Sequence, residues 1–493
     1  MAAPLPSGDT QIHSAQDEIK RIQSEISAVD RLISQLYEKR AALSQRLNDV
    51  QSTTRILPPE ILSRIFINAY DPPCIHTTHR SDNPPHPMIR KSACFPITLS
   101  HVCVIWRAVA YSTPSIWTYM NASLFESPDT VARILHMHLI NVKSLPFHLN
   151  LPTWREPSQQ ITSLLFDHDW SKRIRSLTLS EFPFQWAPTF SQRFSGLTDL
   201  HIESYRVPPE LEVTFSFSEI PLRKLHLADF RDVISLPLAT LEDLHLQCTD
   251  MDVCIAMLIQ CPDLIRFQSN MMIDRARSPQ ALQVINSSLA NGRPAVFRLM
   301  EYFSWERGTV ESANNFIRRL RLPRLKEFCW SEYHFWDHIQ DLCAFAPNLP
   351  QGLDVVTLSL LPTSDRIDTN SVFETLPSGT RHLKLDRCRR STVISLISQL
   401  RWEGERRYFP ALAHLSIDAT HTSPITLEQY MSERLLEIVE ARFVDGACKQ
   451  FSFKFSFVKI RWTPEARSGL CNLVAQGLDL SIVEDDTPVK WLS

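Results

Sequence analysis

The sequence predicts a mixed α/β protein with three parts: a long N-terminal helix, a small helical module, and a curved parallel sheet built from repeats. Apolar residues recur at alternating three- and four-residue intervals over positions 12–50. A shorter helical pattern begins at a proline pair at positions 58 and 59. Short L-x-x-L-x-L segments then recur between positions 174 and 482. These patterns differ in period, and the period distinguishes helix from strand.

The first part is predicted to be a disordered segment over residues 1–11 followed by a coiled-coil helix over residues 12–52. This helix contains no proline or glycine, and Arg40 alone breaks its apolar heptad seam. The seam consists of Ile12, Ala15, Ile19, Ile22, Ile26, Val29, Ile33, Leu36, Arg40, Leu43, Leu47 and Val50. The pattern suits a homodimer through residues 12–50. The alternative is one amphipathic helix that lies on the body of the same chain.

Charged residues beside the seam favour one orientation of such a dimer. With Ile12 at heptad position a, the g positions are Glu18, Glu25, Leu32, Lys39 and Arg46. In an antiparallel pair, Glu18 would face Arg46. Glu25 would likewise face Lys39. Any homodimer is therefore expected to be antiparallel, although each exposed ion pair contributes only about 0.2–1 kcal/mol.

Residues 57–66, LPPEILSRIF, predict a helix that begins at the proline pair. Pro58 and Pro59 lack N–H groups, which have no intrahelical partner at a helix start. Glu60 lies in the first turn, where a negative charge is favourable. Helical spacing places four apolar residues on one face: Ile61, Leu62, Ile65 and Phe66. Alone, such a segment would also suit an ordinary capped helix of any helical domain.

Two later segments make the signal more specific: residues 102–107, VCVIWR, and residues 114–117, PSIW. In this order, the three segments resemble the F-box, a small helical module that docks onto the Skp adaptor of a cullin-type ubiquitin ligase. The resemblance covers residues 55–120 closely. It implies that the following residues contact the adaptor or form the module core: Leu57, Pro58, Pro59, Glu60, Ile61, Leu62, Ile65, Phe66, Val102, Cys103, Trp106 and Arg107. The sequence does not separate these two roles.

An inserted segment over residues 71–95 departs from the family, which usually has a short link here. It is rich in proline and histidine, so a loop is predicted. The segment contains residues of the types that bind zinc: Cys74, His76, His79, His86 and Cys94. Their spacing matches no familiar zinc finger, so a surface loop without metal is expected.

Beyond residue 140, short apolar segments recur, mostly at intervals of 19–32 residues. The central residues of the first five segments are Leu177, Leu200, Leu225, Leu244 and Phe267, spaced 23, 25, 19 and 23 residues apart. Later segments are centred on Phe328, Val356, Leu383, Leu415 and Leu480, and a further unit near Phe297 would fill one large gap. Residues 254–259 and 393–397 are predicted to be helices between strands.

These segments resemble a leucine-rich repeat array over residues 140–490. In that family, each unit contributes a strand and a returning helix, and stacked units bury a continuous core. The asparagine usual after each strand is missing, since Tyr205, Phe230 and Thr249 occupy its place. An irregular array is therefore expected. The alternative is a set of L-x-L strands belonging to some other α/β fold.

The C-terminal part is predicted to close the array as a cap. Residues 426–443 read as a helix, and residues 451–457 alternate strictly between aromatic and polar residues, as a strand does. Terminal repeats need a different outer face, which favours a cap. The alternative is an edge strand that pairs with a partner.

Histidine recurs in three successive units at the position that faces the concave side of a repeat array: His201, His226 and His245, with His148 as a further candidate. Because neighbouring strands lie about 4.8 Å apart, these imidazoles could stack as a ladder. Such a ladder could receive an acidic or phosphorylated peptide, or a divalent metal. The plainer alternative is three unrelated, solvated histidines, and no metal site is predicted.

Composition narrows the functional classes. The net charge of −3 gives no reason to expect nucleic acid or an anionic membrane as partner. Only 10 of 493 residues are glycine, and the glycine-rich phosphate loops and nucleophile elbows of common enzymes are missing. The N-terminal residues lack the pattern of a signal peptide, and the 11 cysteines are scattered. Reduced thiols in the cytoplasm or nucleus are therefore expected.

The two resemblances together imply a non-catalytic substrate-recognition subunit of a Skp–cullin–F-box ubiquitin ligase. The F-box would bind the Skp adaptor of the cullin complex, and the repeats would bind an unknown target protein. No cofactor is expected. The first rival is a non-ligase repeat scaffold that self-associates through its coiled coil. The second is an enzyme of unrecognised class, which a cluster of perturbed titratable residues in a closed pocket would reveal.

Overall fold

The computed structural model describes residues 8–51, 56–70, 95–122, 125, 127–151, 158–167, 169–203, 217–230, 236, 240–270, 278–289, 294–306, 311–332, 339–360, 369–400, 407–419, 425–446 and 448–492. The chain divides into two compact units, Met1–Met120 with Arg133–Leu145 and Asn121–Ala132 with Pro146–Ser493. It is a mixed α/β protein with a long N-terminal helix and a large, mostly parallel sheet, which confirms the prediction at that level. The inserted loop, apart from Phe95, lies outside the described residues.

The N-terminal helix α1, Gly8–Gln51, has 44 residues and is about 66 Å long at 1.5 Å per residue. It begins four residues earlier than predicted, so residues 8–11 are helical and not disordered. Every side chain that the structure describes in α1 is exposed. The apolar seam of α1 is therefore solvent-exposed wherever its side chains are described.

The first unit also contains a group of short helices: α2, Pro59–Ala69; α3, Phe95–Ser100; α4, Val104–Ser112; and a 3-10 turn, Pro114–Trp117. Its core includes Leu62, Phe66, Val109, Ile116 and Trp117, each at most 3% exposed. Helix α5, Pro128–Asn141, spans the boundary between the two units. The apolar pattern of residues 57–66 therefore produces a helix that begins where the proline pair predicts.

Fifteen strands of the described chain form the main sheet, and their order follows the chain. The recorded pairs are parallel except for the last. The strands are β1, Tyr119–Asn121; β2, Phe147–Leu151; β3, Ile174–Leu179; β4, Asp199–Ile202; β5, Lys224–Ala228; β6, Asp243–Gln247; β7, Arg266–Asn270; β9, Tyr302–Glu306; β11, Glu327–Glu332; β12, Val355–Leu360; β13, His382–Asp386; β14, His414–Asp418; β16, Gln450–Ser456; β18, Asp479–Glu484; and β19, Thr487–Pro488. Two further pairs stand apart: β8, Ala295–Val296, with β10, Leu320–Arg321; and β15, Ile425–Leu427, with β17, Val458–Ile460.

Helices and 3-10 turns connect these strands. The helices are α6, Gln159–Asp167; α7, Phe190–Arg193; α8, Met251–Gln260; α9, Pro279–Leu289; α10, Glu311–Arg319; α11, Ile339–Phe345; α12, Thr369–Thr375; α13, Arg390–Leu400; α14, Gln429–Val444; and α15, Pro464–Ala475. The 3-10 turns are Trp170–Arg173, Phe184–Thr189, Ala346–Asn348 and Lys490–Leu492. The two helices predicted at residues 254–259 and 393–397 lie within α8 and α13.

The two faces of the sheet differ because successive strand residues point to opposite sides. One face is buried, and its central row is in register from Leu177 through Leu200, Leu225 and Leu244 to Phe267. The recurring apolar segments predicted from the sequence thus supply one continuous row of core residues. The opposite face is polar along most of the same strands.

The strand that fills the gap in the predicted repeats is β9, not a segment at Phe297. Phe303 and Trp305 of β9 are 0% and 1% exposed, and Phe303 is in register with Phe267. Residues just before Phe297 form β8, which belongs to a separate two-stranded sheet. Aromatic residues take the place of leucine in β9, which is why the leucine pattern misplaced the unit.

The C-terminal strand predicted at residues 451–457 is an interior strand, β16, with β14 on one side and β18 on the other. Its phenylalanines point into the core and its serines and lysine point to the polar face. The alternative of an unpaired edge strand is therefore wrong. The sheet instead ends in the antiparallel pair β18–β19, where Pro488 offers no N–H group to a further strand.

Within the described residues, no helix combines the length and apolar character needed to cross a membrane.

Candidate functional site

Helix α2 has a buried side and an exposed side, and the structure distributes the predicted contact residues between them. Leu62 and Phe66 are 0% and 1% exposed and lie in the core of the first unit. Ile61 and Ile65, one helical turn apart, are 42% and 45% exposed. The other predicted residues are half-buried Leu57 and exposed Pro58, Pro59 and Glu60. The single apolar face predicted for α2 is therefore two faces, one packed in the core and one exposed.

The proline pair sets the start of α2. Pro59 is the first helical residue, and Pro58 precedes it in an extended conformation. The carbonyl of Pro58 accepts hydrogen bonds from the N–H groups of Ile61 at 3.0 Å and Leu62 at 3.1 Å. These two hydrogen bonds form the first turn of α2, which contains exposed Ile61 and buried Leu62.

Helix α4 packs against α2 through an aromatic pair. The ring centroids of Phe66 and Trp106 lie 5.0 Å apart. Cys103 precedes α4 in an extended conformation, and its Sγ accepts a hydrogen bond from the N–H of Trp106 at 3.4 Å. The cysteine thus occupies the position at which serine or threonine usually caps a helix. Cys103 and Trp106 are both half-buried.

The turn before α4 and its first residues are apolar but exposed. Val102, Val104 and Ile105 are 44%, 51% and 36% exposed. Arg107 is exposed as well, and its Nε donates a hydrogen bond to the carbonyl of Ser100 at 2.8 Å. Soluble proteins expose single apolar residues freely, whereas several on adjacent elements indicate a binding surface. We refer to Ile61, Ile65, Val102, Val104 and Ile105 as the exposed apolar set.

His138 supports this module and was missed by the sequence analysis. Its side chain is 0% exposed, and its Nδ1 lies 3.1 Å from the carbonyl oxygen of Trp117, so Nδ1 carries the proton. Burial lowers the pKa of His138 to about 4, despite the hydrogen bond to Trp117. A signal was present, because Val131, Leu135, His138 and Val142 recur at helical spacing.

The polar face of the second unit carries the three predicted histidines side by side. His201 is in register with His226, and His226 with His245. The ring centroids of each neighbouring pair lie 3.9 Å apart, with interplanar angles of 11° and 31°. The side-by-side placement that the strand spacing allows is thus present, with the first pair of rings stacked and the second tilted. We call these three residues the histidine ladder.

Polar groups surround the histidine ladder. The Nδ2 of Asn270 lies 3.2 Å from Nε2 of His245. Two residues before the histidine row, the same face carries a row of charged side chains that alternate in sign. Nζ of Lys224 lies 3.9 Å from Oδ1 of Asp199, and Nε of Arg266 lies 3.9 Å from Oδ2 of Asp243. Each of these partly exposed pairs joins one positive and one negative side chain, so the row has no net charge. The ladder therefore lies beside a neutralised row rather than in a strongly charged patch.

His148 does not belong to the ladder. It is in register with Ser176, which pairs with Asp199, so it lies in the charged row. Burial lowers the pKa of His148. The sequence analysis offered His148 as a further candidate because it lies between Phe147 and Leu149, but β2 continues to Leu151, so Asn150 lies between the last two buried positions. Asn150 and Thr178 continue the histidine row instead.

A second histidine pair, on β13 and β14, was missed. His382 and His414 are in register, with ring centroids 5.6 Å apart. Nε2 of His382 lies 2.9 Å from the hydroxyl of Ser416, and Nδ1 of His414 lies 2.6 Å from that of Ser452. Burial, followed by the neighbouring His414, lowers the pKa of His382. In both strands the histidine directly precedes an L-x-[LI] sequence. Because these sequences align in neighbouring strands, the pattern could have predicted the pair.

No group of three or more His, Cys, Asp or Glu residues in the described part of the chain is arranged to hold a metal ion. The cysteines described there are free thiols, and the zinc-type residues at positions 74–94 lie outside the described residues.

Comparison of the chain with protein-family models finds no match, and comparison with curated protein sequences finds none either.

Proposed function

We propose that this chain is the substrate-recognition subunit of a Skp–cullin–F-box ubiquitin ligase. The observation that carries the proposal is the exposure of Ile61 and Ile65 within a segment that resembles the F-box. Several exposed apolar side chains on adjacent elements favour a binding surface, and in an F-box the Skp adaptor would cover them. The exposed apolar set would form the centre of that interface, with exposed Pro58 and Pro59 beside it.

The second unit is proposed to be an irregular leucine-rich repeat array that binds the target protein. Supporting observations are the chain-ordered parallel strands, the helices between several of them, and the row of leucines in register on the buried face. The polar face would then be the concave, target-binding side. The chain would carry no catalytic residue, because its contribution is to hold target lysines near a ubiquitin carrier.

The proposal is tested by binding of the full chain to a purified Skp adaptor. The variant carries Ile61→Asp and Ile65→Asp, which place two charges in the proposed interface but leave Leu62 and Phe66 in the core. Affinity is expected to fall by about 100-fold or more, since a desolvated charge at an interface centre costs at least about 3 kcal/mol. Circular dichroism should show an unchanged fold.

A matched control is Ile67→Asp. Ile67 is 43% exposed, as Ile61 and Ile65 are, but it lies on another side of α2. This substitution should change the affinity less than about threefold. Adaptor binding that is lost equally in the control, or that survives the double substitution, would contradict the assignment of the interface. Failure of the parent chain to bind any Skp adaptor would overturn the proposed function.

The histidine ladder is proposed to contact an acidic or phosphorylated segment of the target. His201, His226 and His245 offer imidazole nitrogens along one line of the polar face. Replacing all three with alanine should weaken target capture in cells, more strongly as the pH falls towards 6. The control is the pair His382→Ala and His414→Ala on distant strands of the same face. Equal target capture by both variants would remove the ladder from the target site.

The alternative function is a repeat scaffold outside any ligase. The exposed seam of α1 favours it, because that surface supplies a means of assembly that substrate recognition does not require. The two functions differ in cullin recruitment. A complex of chain and adaptor that retains a cullin supports the ligase, whereas adaptor binding without cullin supports the scaffold.

A further inference from the structure

Helix α1 presents an apolar stripe, interrupted at Arg40, that is exposed to solvent wherever its side chains are described. Eight residues of its heptad seam are between 43% and 58% exposed: Ile19, Ile22, Ile26, Val29, Ile33, Leu36, Leu43 and Leu47. An isolated helix gains little from such residues, and most helices in proteins are stabilised by packing of this kind of face. The a and d residues of a heptad pattern pack between the a and d residues of another helix that has the same pattern.

The seam is compatible with its own copy in the antiparallel orientation. Positions a and d then meet in mixed layers in which the two residue numbers sum to 62: Ile19 with Leu43, Ile26 with Leu36, and Val29 with Ile33. Arg40 lies opposite Ile22, so its aliphatic stem can cover an apolar partner while its guanidinium reaches water. In a parallel pair, by contrast, the two Arg40 side chains would face each other.

Charges at the flanks favour the same orientation. In the antiparallel pair, Glu18 faces Arg46 and Glu25 faces Lys39, and each contact occurs twice by symmetry. The one unfavourable contact brings Asp30 near its own copy on the opposite flank. These ion pairs are worth about 0.2–1 kcal/mol each, so they select an orientation rather than drive association.

The parallel arrangement would lose these attractions and gain a repulsive contact. There, each g position faces the e position five residues later in the partner helix. Glu25 would therefore face Asp30 twice, and Arg46 would face the uncharged Gln51. Within the single helix, Arg21 already binds Glu18 at 2.8 Å and approaches Glu25 to 3.9 Å. Arg21 lies at position c, away from the seam, so it leaves both carboxylates able to reach a partner.

We infer that α1 binds α1 of a second copy of this chain as an antiparallel coiled coil, in the register that sets Glu18 against Arg46. The apolar layers drive the association, and the symmetric charges set its direction. The inference does not depend on adaptor binding, so it can fail or succeed independently of the proposed ligase function.

The first test is the mass of the full chain by analytical ultracentrifugation. A dimer is expected at micromolar concentration, and Ile26→Asp with Ile33→Asp should convert it to monomer because four layers of the symmetric seam receive a charge. The control is Ser24→Asp, at heptad position f on the exposed side of the same helix, which should leave the dimer intact. A parent chain that is monomeric at about 100 μM, or a dimer indifferent to both seam substitutions, would overturn the inference.

The second test concerns direction and uses charge reversal. Lys39→Glu with Arg46→Glu should weaken the dimer about tenfold or more at low salt, since four attractive contacts become repulsive. Adding Glu18→Lys and Glu25→Lys should restore it, because the reversed charges face each other again. In a parallel dimer, the first pair of substitutions would face the uncharged Ser44 and Gln51 and have little effect. That result, or absence of rescue, would exclude the antiparallel register.

Cross-linking provides a direct readout. An equal mixture of the Glu18→Cys and Arg46→Cys chains should form mixed disulfides, whereas each variant alone should not exceed the background set by the parent chain and its 11 cysteines. Efficient cross-linking of Glu18→Cys to itself would contradict the antiparallel orientation.

Discussion

Trp117 and His138 are 21 residues apart in sequence and form a buried hydrogen bond in the first unit. Their rings also meet edge to face, with centroids 5.0 Å apart. Nε1 of Trp117 donates to the carbonyl of Ala110 at 2.8 Å, so the same residue connects α4 and α5. A charged imidazolium would be costly in this apolar site, and the folded unit therefore holds His138 in its neutral form.

The first unit should lose stability in acid because of His138. Burial lowers its pKa from 6.5 to about 4, so folding favours the neutral ring. The contribution is fully present above pH 6.5 and is lost as the pH falls towards 4, by about 3 kcal/mol in all. His138→Asn keeps a side-chain N–H donor but cannot titrate, so stability in this variant should depend much less on pH over that range.

The measurement is the urea dependence of Met120 oxidation by peroxide, read by mass spectrometry. Met120 is 0% exposed in the same unit, so it reacts only after the unit opens. The control is His136→Asn, an exposed histidine of the same helix, which should retain the pH dependence of the parent. An identical acid response in the His138→Asn variant would contradict the assignment.

At the scale of the element, two of the chain's 10 glycines lie where the turns that precede neighbouring strands pass close to each other. Gly196 precedes β4 and lies beside the turn before β3, and Gly379 precedes β13 and lies beside the turn before β12. A Cβ at Gly196 would lie 2.2 Å from the carbonyl oxygen of Lys172, and one at Gly379 would lie 2.2 Å from that of Gln351. Neither glycine has a positive φ, so the requirement is space rather than backbone conformation. Adjacent strands can stack at these points because no side chain separates their turns.

Gly196→Ala and Gly379→Ala should each lower the free energy of unfolding of the second unit by about 2 kcal/mol or more, because backbone must move to admit the methyl group. Gly352→Ala is the matched control. Its Cβ would meet nothing within 4 Å, so alanine there should be neutral or stabilise by about 0.5 kcal/mol through the unfolded chain. Thermal unfolding followed by circular dichroism would distinguish these outcomes. Equal effects at Gly379 and Gly352 would contradict the close-approach explanation.

For the whole molecule, the division into two compact units implies that each has a core of its own. The core of the second unit includes a fully buried arginine, Arg442, which is 0% exposed. Its guanidinium donates hydrogen bonds to backbone carbonyls, including those of Tyr408 at 2.9 Å, Ile438 at 2.8 Å and Leu400 at 3.3 Å. Leu400 ends α13, so a positive charge there also meets the negative end of a helix.

Arg442→Met should therefore destabilise the second unit by about 3 kcal/mol or more, since several buried carbonyls lose their donors. The first unit should be unaffected. Peroxide oxidation of Met431, which is 0% exposed on the same helix as Arg442, reports the second unit, and that of Met120 reports the first. Arg434→Met, at a half-buried position of α14, is the control and should change the free energy of unfolding of neither unit by more than about 1 kcal/mol. A parallel loss at Met120 would show that the two units unfold together.

The positions of elements were predictable wherever the decisive physics was local. Helical and strand periods depend on residues within a few positions of each other, so α1, α2 and the L-x-x-L-x-L strands followed from the sequence alone. The same locality explains the error at β9, where Phe303 and Trp305 form core without leucine. The histidine ladder was predictable too, because equal offsets in successive strands become neighbours in a parallel sheet.

Burial and hydrogen-bond partners were decided only by the tertiary structure. Sequence placed Ile61, Leu62, Ile65 and Phe66 on one apolar face, but packing of α4 against part of that face divides them into core and surface. His138 and Arg442 find partners that are tens of residues away in the chain, at distances no periodicity encodes. Period is a property of neighbouring residues, whereas exposure and the charge state of a buried group depend on everything that folds around them.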